Sequence, residues 1–362
     1  MHILQVTPRY FPNIGGVEIV VQTISELLSK RGISVTVYSV DFNPRLPRQQ
    51  KVNGVLVKRF VPLLGDPFYI PAPDFIGSIR KENVDVVHIH NIHTLLPCVT
   101  ALLTHKSQKL LLQPHYHRFG QTSMRDFFFN LYKKAWHKLF FSYVDCVIVN
   151  SDYEKKIFLE DFAKCRNVLL IPEGIAINEL KLVDWKPEKP ARILYIGGLR
   201  RYKNVDKLIE AFEQLVRKMK IDSKLVIIGK GEEYPRLVEL AKKLKLMEFI
   251  EWKHSLSREQ LLSEYSKASV FVLLSPLESF SRVVYEALLI GVPTVVLNFG
   301  ATSTLIKNGL AVGVNSLNPG EIAQGILDAI KKSSIKIKKP LSFFLSWENY
   351  INRLLEVYRR ML

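Results

Sequence analysis

Short, nearly uninterrupted apolar runs alternate along the chain with stretches whose apolar positions recur every three to four residues. In the first half the runs fall at 2–6, 33–40, 55–59, 84–90, 110–113, 144–150 and 168–171. In the second half they fall at 192–196, 224–228, 249–252, 270–274 and 292–297. Each has strand length and is rich in Val, Ile and Leu, as parallel strands covered on both faces are. Helical periodicity appears between them at 17–28, 152–162, 205–216, 232–244 and 258–265, then after Ser281 within 278–291 and at 321–331. A final helix is predicted from Ser346 as cap to 362, with Trp347, Tyr350, Ile351, Leu354 and Val357 on one face. Residues 63–73 read as loop, since Pro62, Pro67, Pro71 and Pro73 interrupt any ladder. Strand and helix in strict alternation give an α/β class with parallel sheets.

The pattern runs twice. Strand, glycine pair and helix open each half, at Gly15-Gly16 and again at Gly197-Gly198. At 362 residues the chain exceeds one ordinary domain. The expected boundaries are 1–175, 176–345 and a terminal helix at 346–362. Pro187 and Pro190 among charges make 180–191 the break in composition. A basic loop with Lys336, Lys338 and Lys339 is expected over 335–340.

Composition narrows this picture little, but charge changes it. No apolar run approaches the ~18 residues a spanning helix needs, and residues 1–6 read as a strand rather than a signal peptide. Cys98, Cys146 and Cys165 lack C-x-x-C spacing and read as buried thiols of a reducing compartment. The expected location is therefore cytoplasmic, and one of two readings of the aromatic-basic stretch at 127–141 adds peripheral attachment at the inner face of the membrane. The net charge of +17 is spread over both halves and favours anionic partners such as phosphates or acidic lipid; nucleic acid is the weakest of these readings.

The richest stretch for chemistry runs from Glu278 to Gly291. Glu278 sits in a polar break after a strand, Ser279-Phe280-Ser281 follows, Ser281 is the expected N-cap, and Glu286 lies inside the helix. Carboxyl ends of parallel strands and amino ends of helices meet at such a loop, where ligands and phosphates bind. The two carboxylates would meet different parts of one elongated ligand. The turn from Gly197 to Asn204 combines glycines with Arg200, Arg201 and Lys203, the composition of a diphosphate cradle. Gly229-Lys230-Gly231 ends the next strand in the same way, and Gly15-Gly16 carries the weaker signal of a bare pair.

Seven of the nine histidines lie between 88 and 137. His88 and His90 share a strand face, and two readings stand for them: metal ligands, or a polar cleft lining that meets substrate hydroxyls. His115 directly follows a strand and belongs at the ligand edge. Residues 127–141 interleave aromatics with Lys133, Lys134 and Lys138. They read either as a helix packing its rings on the sheet or as an interfacial helix at an anionic membrane surface.

Glu278-x7-Glu286 within ESF-x-x-V-x-x-E-A, Ile196-Gly197-Gly198-Leu199 with Lys203, Gly229-Lys230-Gly231, Ile171-Pro172-Glu173-Gly174-Ile175 and Pro12-Asn13-Ile14-Gly15-Gly16 occur in order with family-like spacing. Together they resemble the retaining nucleotide-sugar glycosyltransferases of family four (group one), from residue 2 to about 313. The resemblance implies the GT-B fold: two Rossmann-like domains facing across a cleft, with the C-terminal helix crossing back to the N-terminal domain. It implies transfer of a sugar from a nucleotide-diphosphate donor to a hydroxyl of a glycan, lipid-linked or small-molecule acceptor, with retention. By the same resemblance His115, Lys203 and Glu278 are catalytic. Gly15, Gly16, Gly198, Arg200, Arg201, Lys203, Gly229, Ser279, Phe280, Ser281 and Glu286 hold the donor. Glu278 would hold sugar hydroxyls, Glu286 the ribose, Lys203 the leaving phosphate, and the N–H groups of Phe280 and Ser281 the diphosphate. No D-x-D occurs, so no metal and no other cofactor is expected. Three positions depart from the family: Gly198 stands where Arg is usual, leaving Arg200 or Arg201 to substitute, Ser281 where Gly is usual, and Glu173 where Asn is usual. The alternative is a non-catalytic GT-B protein that binds sugar nucleotide or an anionic polymer.

Overall fold

A computed structural model of the chain describes all residues except 14, 42, 44, 121–122, 137–139, 164, 166 and 332–343, and at 123 and 134–136 it describes the backbone alone. The basic loop expected at 335–340, Ile14 of the first glycine turn and part of the aromatic-basic stretch lie outside the described residues. The chain divides into two compact units, Met1–Gly174 with Glu348–Leu362, and Ile175–Trp347.

The first unit carries β1 (His2–Thr7), β2 (Ser34–Val40), β3 (Gln49–Val52), β4 (Val55–Phe60), β5 (Val86–His90), β6 (Lys109–Gln113), β7 (Cys146–Val149) and β8 (Val168–Leu170). They form one sheet in the order β8-β7-β6-β5-β1-β2-β4-β3, parallel except for the β3–β4 pair. β3 has no apolar run to announce it: Gln-Gln-Lys-Val lies at the sheet edge with alternate residues exposed. Helix α1 (Gly16–Lys30) buries Val20, Val21, Ile24 and Leu28 against this sheet, the i, i+4, i+8 stripe that its sequence carries. Strand order reverses between β1 and β5, so the loops after these strands open at a switch point.

The second unit carries β9 (Ala191–Ile196), β10 (Ser223–Ile228), β11 (Ile250–Lys253), β12 (Val270–Leu273), β13 (Thr294–Leu297) and β14 (Val312–Val314). All are parallel, in the order β11-β10-β9-β12-β13-β14. Here the order reverses between β9 and β12. The division between units falls earlier than the proline-rich stretch suggested: Ile175 and Leu180 are fully buried in the second core. Residues 181–190 are thus a surface segment of the second unit and not the passage between the two.

The last helix, α2 (Trp347–Met361), belongs to the first unit. It buries Tyr350, Ile351, Leu354, Leu355, Val357 and Tyr358, each contributing about 1.5–3 kcal/mol by area if aliphatic. Ser346 lies in a two-residue strand just before it. Tyr358 Oη is 2.8 Å from His88 Nδ1 and accepts from Gln5 Nε2 at 3.4 Å, while Tyr350 Oη donates to Gln113 Oε1 at 3.1 Å. Polar side chains of the sheet therefore find their partners on a segment some 240 or more residues away in sequence.

Candidate active site

In the second unit the loops after β9 and β12 emerge side by side, and they are tied together. Asn204, in the left-handed region at φ 54°, donates its side-chain amide to Leu274 O at 2.8 Å. Lys203 Nζ donates to Glu278 Oε1, with only 15% and 13% of the two side chains exposed. Burial alone would lower the Lys203 ammonium pKa, but Glu278 outweighs it and the pKa rises. The ion pair thus bridges the switch point from one loop to the other. Of the two neighbouring arginines, Arg200 is half-buried and Arg201 exposed.

Glu278 leads into helix α3 (Arg282–Ile290). Phe280 is buried and stacks on Tyr285 with ring centroids 4.3 Å apart, which fixes the backbone at the helix entrance. Ser281 occupies the N-cap position but does not cap: it adopts φ 73°, ψ 58° and makes no side-chain cap bond. Its hydroxyl is buried without a partner among the described residues. Left-handed backbone explains why glycine suits this position, because a Cβ there meets the following carbonyl. The sequence expectation of a serine cap is corrected on that ground. First-turn N–H groups of a helix lack intrahelical partners and concentrate positive potential at this end.

Glu286 is itself buried and projects from the same helix into a polar cluster whose outer members, Arg258 and Glu179, are partly exposed. Its Oε1 accepts from Arg258 Nη1 at 2.9 Å, and its Oε2 from Tyr265 Oη at 3.2 Å. Arg258 also donates to Glu179 Oε2 at 2.8 Å. Periodicity could not reveal Arg258, Tyr265 or Glu179 as partners, since only folding joins α4 (Arg258–Lys267) and residue 179 to this face. A carboxylate on the buried side of a helix was the one signal that some cation had to meet it.

The glycine turns serve different ends. A Cβ at Gly229, where φ is +155°, would stand 1.9 Å from Gly197 O, and one at Gly231 would stand 2.1 Å from Leu199 O. Leu199 N donates to Lys230 O at 2.8 Å and Gly197 N to Ile228 O at 3.0 Å. These glycines therefore let two turns pack backbone to backbone, which accounts for Gly229 without a ligand. At Gly198 the nearest atom to such a Cβ is 3.9 Å away, so a side chain fits. In the first unit Gly15 is extended and precedes α1, and no atom lies within 4 Å of a Cβ placed at Gly16. Glu18 reaches over this turn, 2.9 Å from Arg9 Nε.

His115 follows β6 in the left-handed region at φ 47°. Its Nδ1 lies 3.4 Å from Glu173 Oε1 and 3.4 Å from Asn150 Nδ2, and its Nε2 lies 3.4 Å from His90 Nδ1. Glu173, unusual at its position, thus supplies His115 with a carboxylate neighbour. Glu154, absent from the sequence reading, holds this loop: it is fully buried and accepts from Asn150 N at 2.7 Å and from Tyr116 N. Burial pushes its carboxyl up to about 7, against the pull of His115 and of the two N–H groups.

His88 and His90 are completely buried and do not line a cleft. His90 Nε2 is 2.7 Å from Gln5 Oε1, and His88 meets Tyr358. Burial pushes His88 down to about 3 and His90 well below its ordinary value, so both are neutral packing groups under the last helix. Among the described residues no three His, Cys, Asp or Glu side chains form a metal-binding group. Cys98, Cys146 and Cys165 are free and buried.

Comparison with known proteins bears on family and fold. Residues 14–179 match the family described as Glycosyltransferase Family 4, and residues 178–341 match Glycosyl transferases group 1. An uncharacterized glycosyltransferase of Methanocaldococcus jannaschii is 24% identical over 97% of this chain and 96% of its own. A subunit of the phosphatidylinositol N-acetylglucosaminyltransferase of Arabidopsis thaliana is 23% identical over all of this chain and 82% of its own. The sucrose-phosphate synthase of Thermosynechococcus elongatus superposes with TM-score 0.77 at 19% identity, over 99% of this chain and 98% of that one. An Anabaena protein solved with UDP and glucose gives 0.72 at 16% identity, over 99% of both chains. The paired carboxylates after β12, the cationic turn after β9 and these matches along both units make the chain a member of the group 1, family 4 glycosyltransferases, with the GT-B fold.

Proposed function

We propose that this glycosyltransferase moves a sugar from a nucleoside-diphosphate donor to an acceptor hydroxyl, with retention and without a metal ion. The Lys203–Glu278 pair at the β9/β12 switch point carries the reading. A donor diphosphate arriving at the amino end of α3 would compete with Glu278 for Lys203. Lys203 would then stabilise the charge that grows as the C1–oxygen bond to the diphosphate breaks. Glu278, released from the lysine, would accept hydrogen bonds from sugar hydroxyls. Glu286, already oriented by Arg258 and Tyr265, keeps acceptor lone pairs for the ribose. The new bond forms on the face the diphosphate leaves, and the acceptor proton passes to a departing phosphate oxygen. Arg200 or Arg201 would add the second cation where Gly198 replaces the usual arginine, and His115 keeps the catalytic role that the family resemblance assigns to it. Two features support a lipid acceptor at a membrane surface: one relative's name carries phosphatidylinositol, and this chain is strongly basic.

The test is release of nucleoside diphosphate from UDP-, GDP-, ADP- and dTDP-sugars, with and without EDTA, followed by NMR of the product anomer. Turnover unaffected by EDTA and a product with the donor's anomeric configuration are expected. An inverted product, or activity restored only by a divalent ion, would overturn the mechanism.

A further inference from the structure

Helix α5 (Ser123–Trp136) uses one face for the core and leaves another apolar face bare. Inward, Phe129 is buried and Tyr132 Oη is 2.8 Å from Cys98 Sγ. Outward, Met124, Phe127, Phe128 and Leu131 are 59%, 66%, 37% and 58% exposed. Their spacing of three and four places them in one stripe. Beside the helix, Phe68 meets Phe128 edge-on at 5.1 Å, and Arg125 Nη2 reaches Asp66 at 2.5 Å. The stretch read from sequence as loop holds a short antiparallel hairpin, Pro62–Leu64 with Ile70–Pro71, that carries Phe68 between its strands and adds Leu63 and Leu64, at 64% and 54% exposure. Apolar side chains gathered like this on a protein surface mark a contact with something apolar.

The stripe borders a cavity of about 270 Å³, lined mainly by Phe68, His93, Leu95, Phe128, Leu131 and Tyr132. His93 stacks on His117 at 3.8 Å, and its pKa is well below the ordinary value, chiefly through burial, so the wall it forms is uncharged at neutral pH. The lining is mainly apolar and aromatic, with Thr94 and Arg125 as further polar members. Arg125, paired with Asp66, is the cation in that lining, and Lys133 lies further along the helix and meets Asp161; the sequence from 106 to 138 carries seven Lys or Arg against one acid, within a chain of +17. A mainly apolar lining, an apolar rim and a strongly basic stretch of sequence together match a lipid with a negative headgroup.

We propose that this pocket holds the hydrocarbon tail of an anionic membrane lipid that bears the acceptor hydroxyl, with the stripe Met124, Phe127, Phe128 and Leu131 resting in the interface. The word acceptor rests on the glycosyl-transfer reading; capture of the tail does not. No helix among the described residues is long and apolar enough to cross a membrane; attachment through this face would bring the enzyme to a lipid surface.

The experiment uses the full chain without donor. Binding of n-dodecyl phosphate and n-hexyl phosphate is measured by titration calorimetry. Co-sedimentation is measured with vesicles of phosphatidylcholine alone and with about one third phosphatidylglycerol. One dodecyl phosphate should bind per chain, at least about tenfold tighter than hexyl phosphate, because each added buried methylene counts. Leu131→Asp should abolish that preference and the binding to anionic vesicles, while Leu131→Phe retains both. Leu131 is exposed, so unchanged melting of both variants is expected, and Phe127→Asp gives a second reading of vesicle binding. Equal affinity for the two phosphates, or dodecyl phosphate binding indifferent to Leu131→Asp, would overturn the proposal. So would a dimer that Leu131→Asp dissolves with no lipid bound, which would assign the stripe to a second copy. Tail binding without any nucleoside diphosphate release would instead count against the transfer reading alone.

Discussion

Replacing Lys203 or Glu278 should cost stability as well as activity, and the two costs can be separated. Both side chains are some 85% covered and each is the other's counter-ion. Lys203→Met leaves the Glu278 carboxylate in that environment unpaired; Glu278→Gln leaves the ammonium. Breaking a fully buried pair costs about 3–5 kcal/mol, and exposed pairs are worth well under one. For a pair with this residual exposure, about 2 kcal/mol per single variant is expected. The double variant leaves no orphaned charge, so it should lose less than the two singles combined, with a coupling of at least about 1 kcal/mol. Urea unfolding at pH 7 gives the three free energies, provided the transition of the second unit is resolved. Release of nucleoside diphosphate, measured where each variant is folded, should fall in all three, including the double variant that recovers stability. Additive stability losses would refute the coupling argued from the geometry. Normal turnover in folded Lys203→Met would remove the lysine from the mechanism.

Ser281→Gly should stabilise the chain by about 1 kcal/mol, since relief of ~1–2 kcal/mol of left-handed strain exceeds glycine's added freedom when unfolded; a lower melting temperature would contradict this. Gly229→Ala should destabilise by more than about 2 kcal/mol, because its Cβ would collide with Gly197 O; a chain that melts unchanged would show that the two turns do not pack as described. Glu154 has a folded pKa of about 7 against an ordinary 4.5, so the stability it contributes is full below pH 4.5 and is lost as pH rises through 7, by up to about 3 kcal/mol. His88 and His90, held neutral by burial, pull the opposite way as pH falls below 6.5. The difference between wild type and Glu154→Gln therefore isolates Glu154. It should move against the wild type between pH 5 and 8, and a flat difference would refute the assignment.

Much of the scaffold is legible in the sequence because its signal is local. Uninterrupted Val-Leu-Ile runs such as 270–274 become β12 almost to the residue, since a strand covered on both faces has no polar side to blur its limits. Where one face or an edge is wet, the signal fades: β3 escapes it, and the helix at Leu96–Leu103, apolar nearly all round, carries no periodic contrast. The site divides in the same way. Lys203 and Glu278 stand out as charges in the loops that follow apolar runs, and Glu286 as a lone carboxylate inside an apolar helix. Arg258, Tyr265 and Glu154 do not, because nothing in their own neighbourhoods sets them apart from surface polar residues.

The order of residues alone determined the alternating strands and helices, the doubled plan, and which loops carry glycine, cation and carboxylate, because each depends on neighbours a few positions apart. Tertiary structure decided that Lys203 meets Glu278, that Glu286 is held by Arg258 and Tyr265, and that Gly229 serves a backbone contact. It also buried the strand histidines, His88 against Tyr358 and His90 against Gln5, so that neither lines a cleft. These depend on strand order and on a chain end that returns to the first sheet. Such long-range contacts follow from which buried surfaces fit together, and no window of sequence contains both partners.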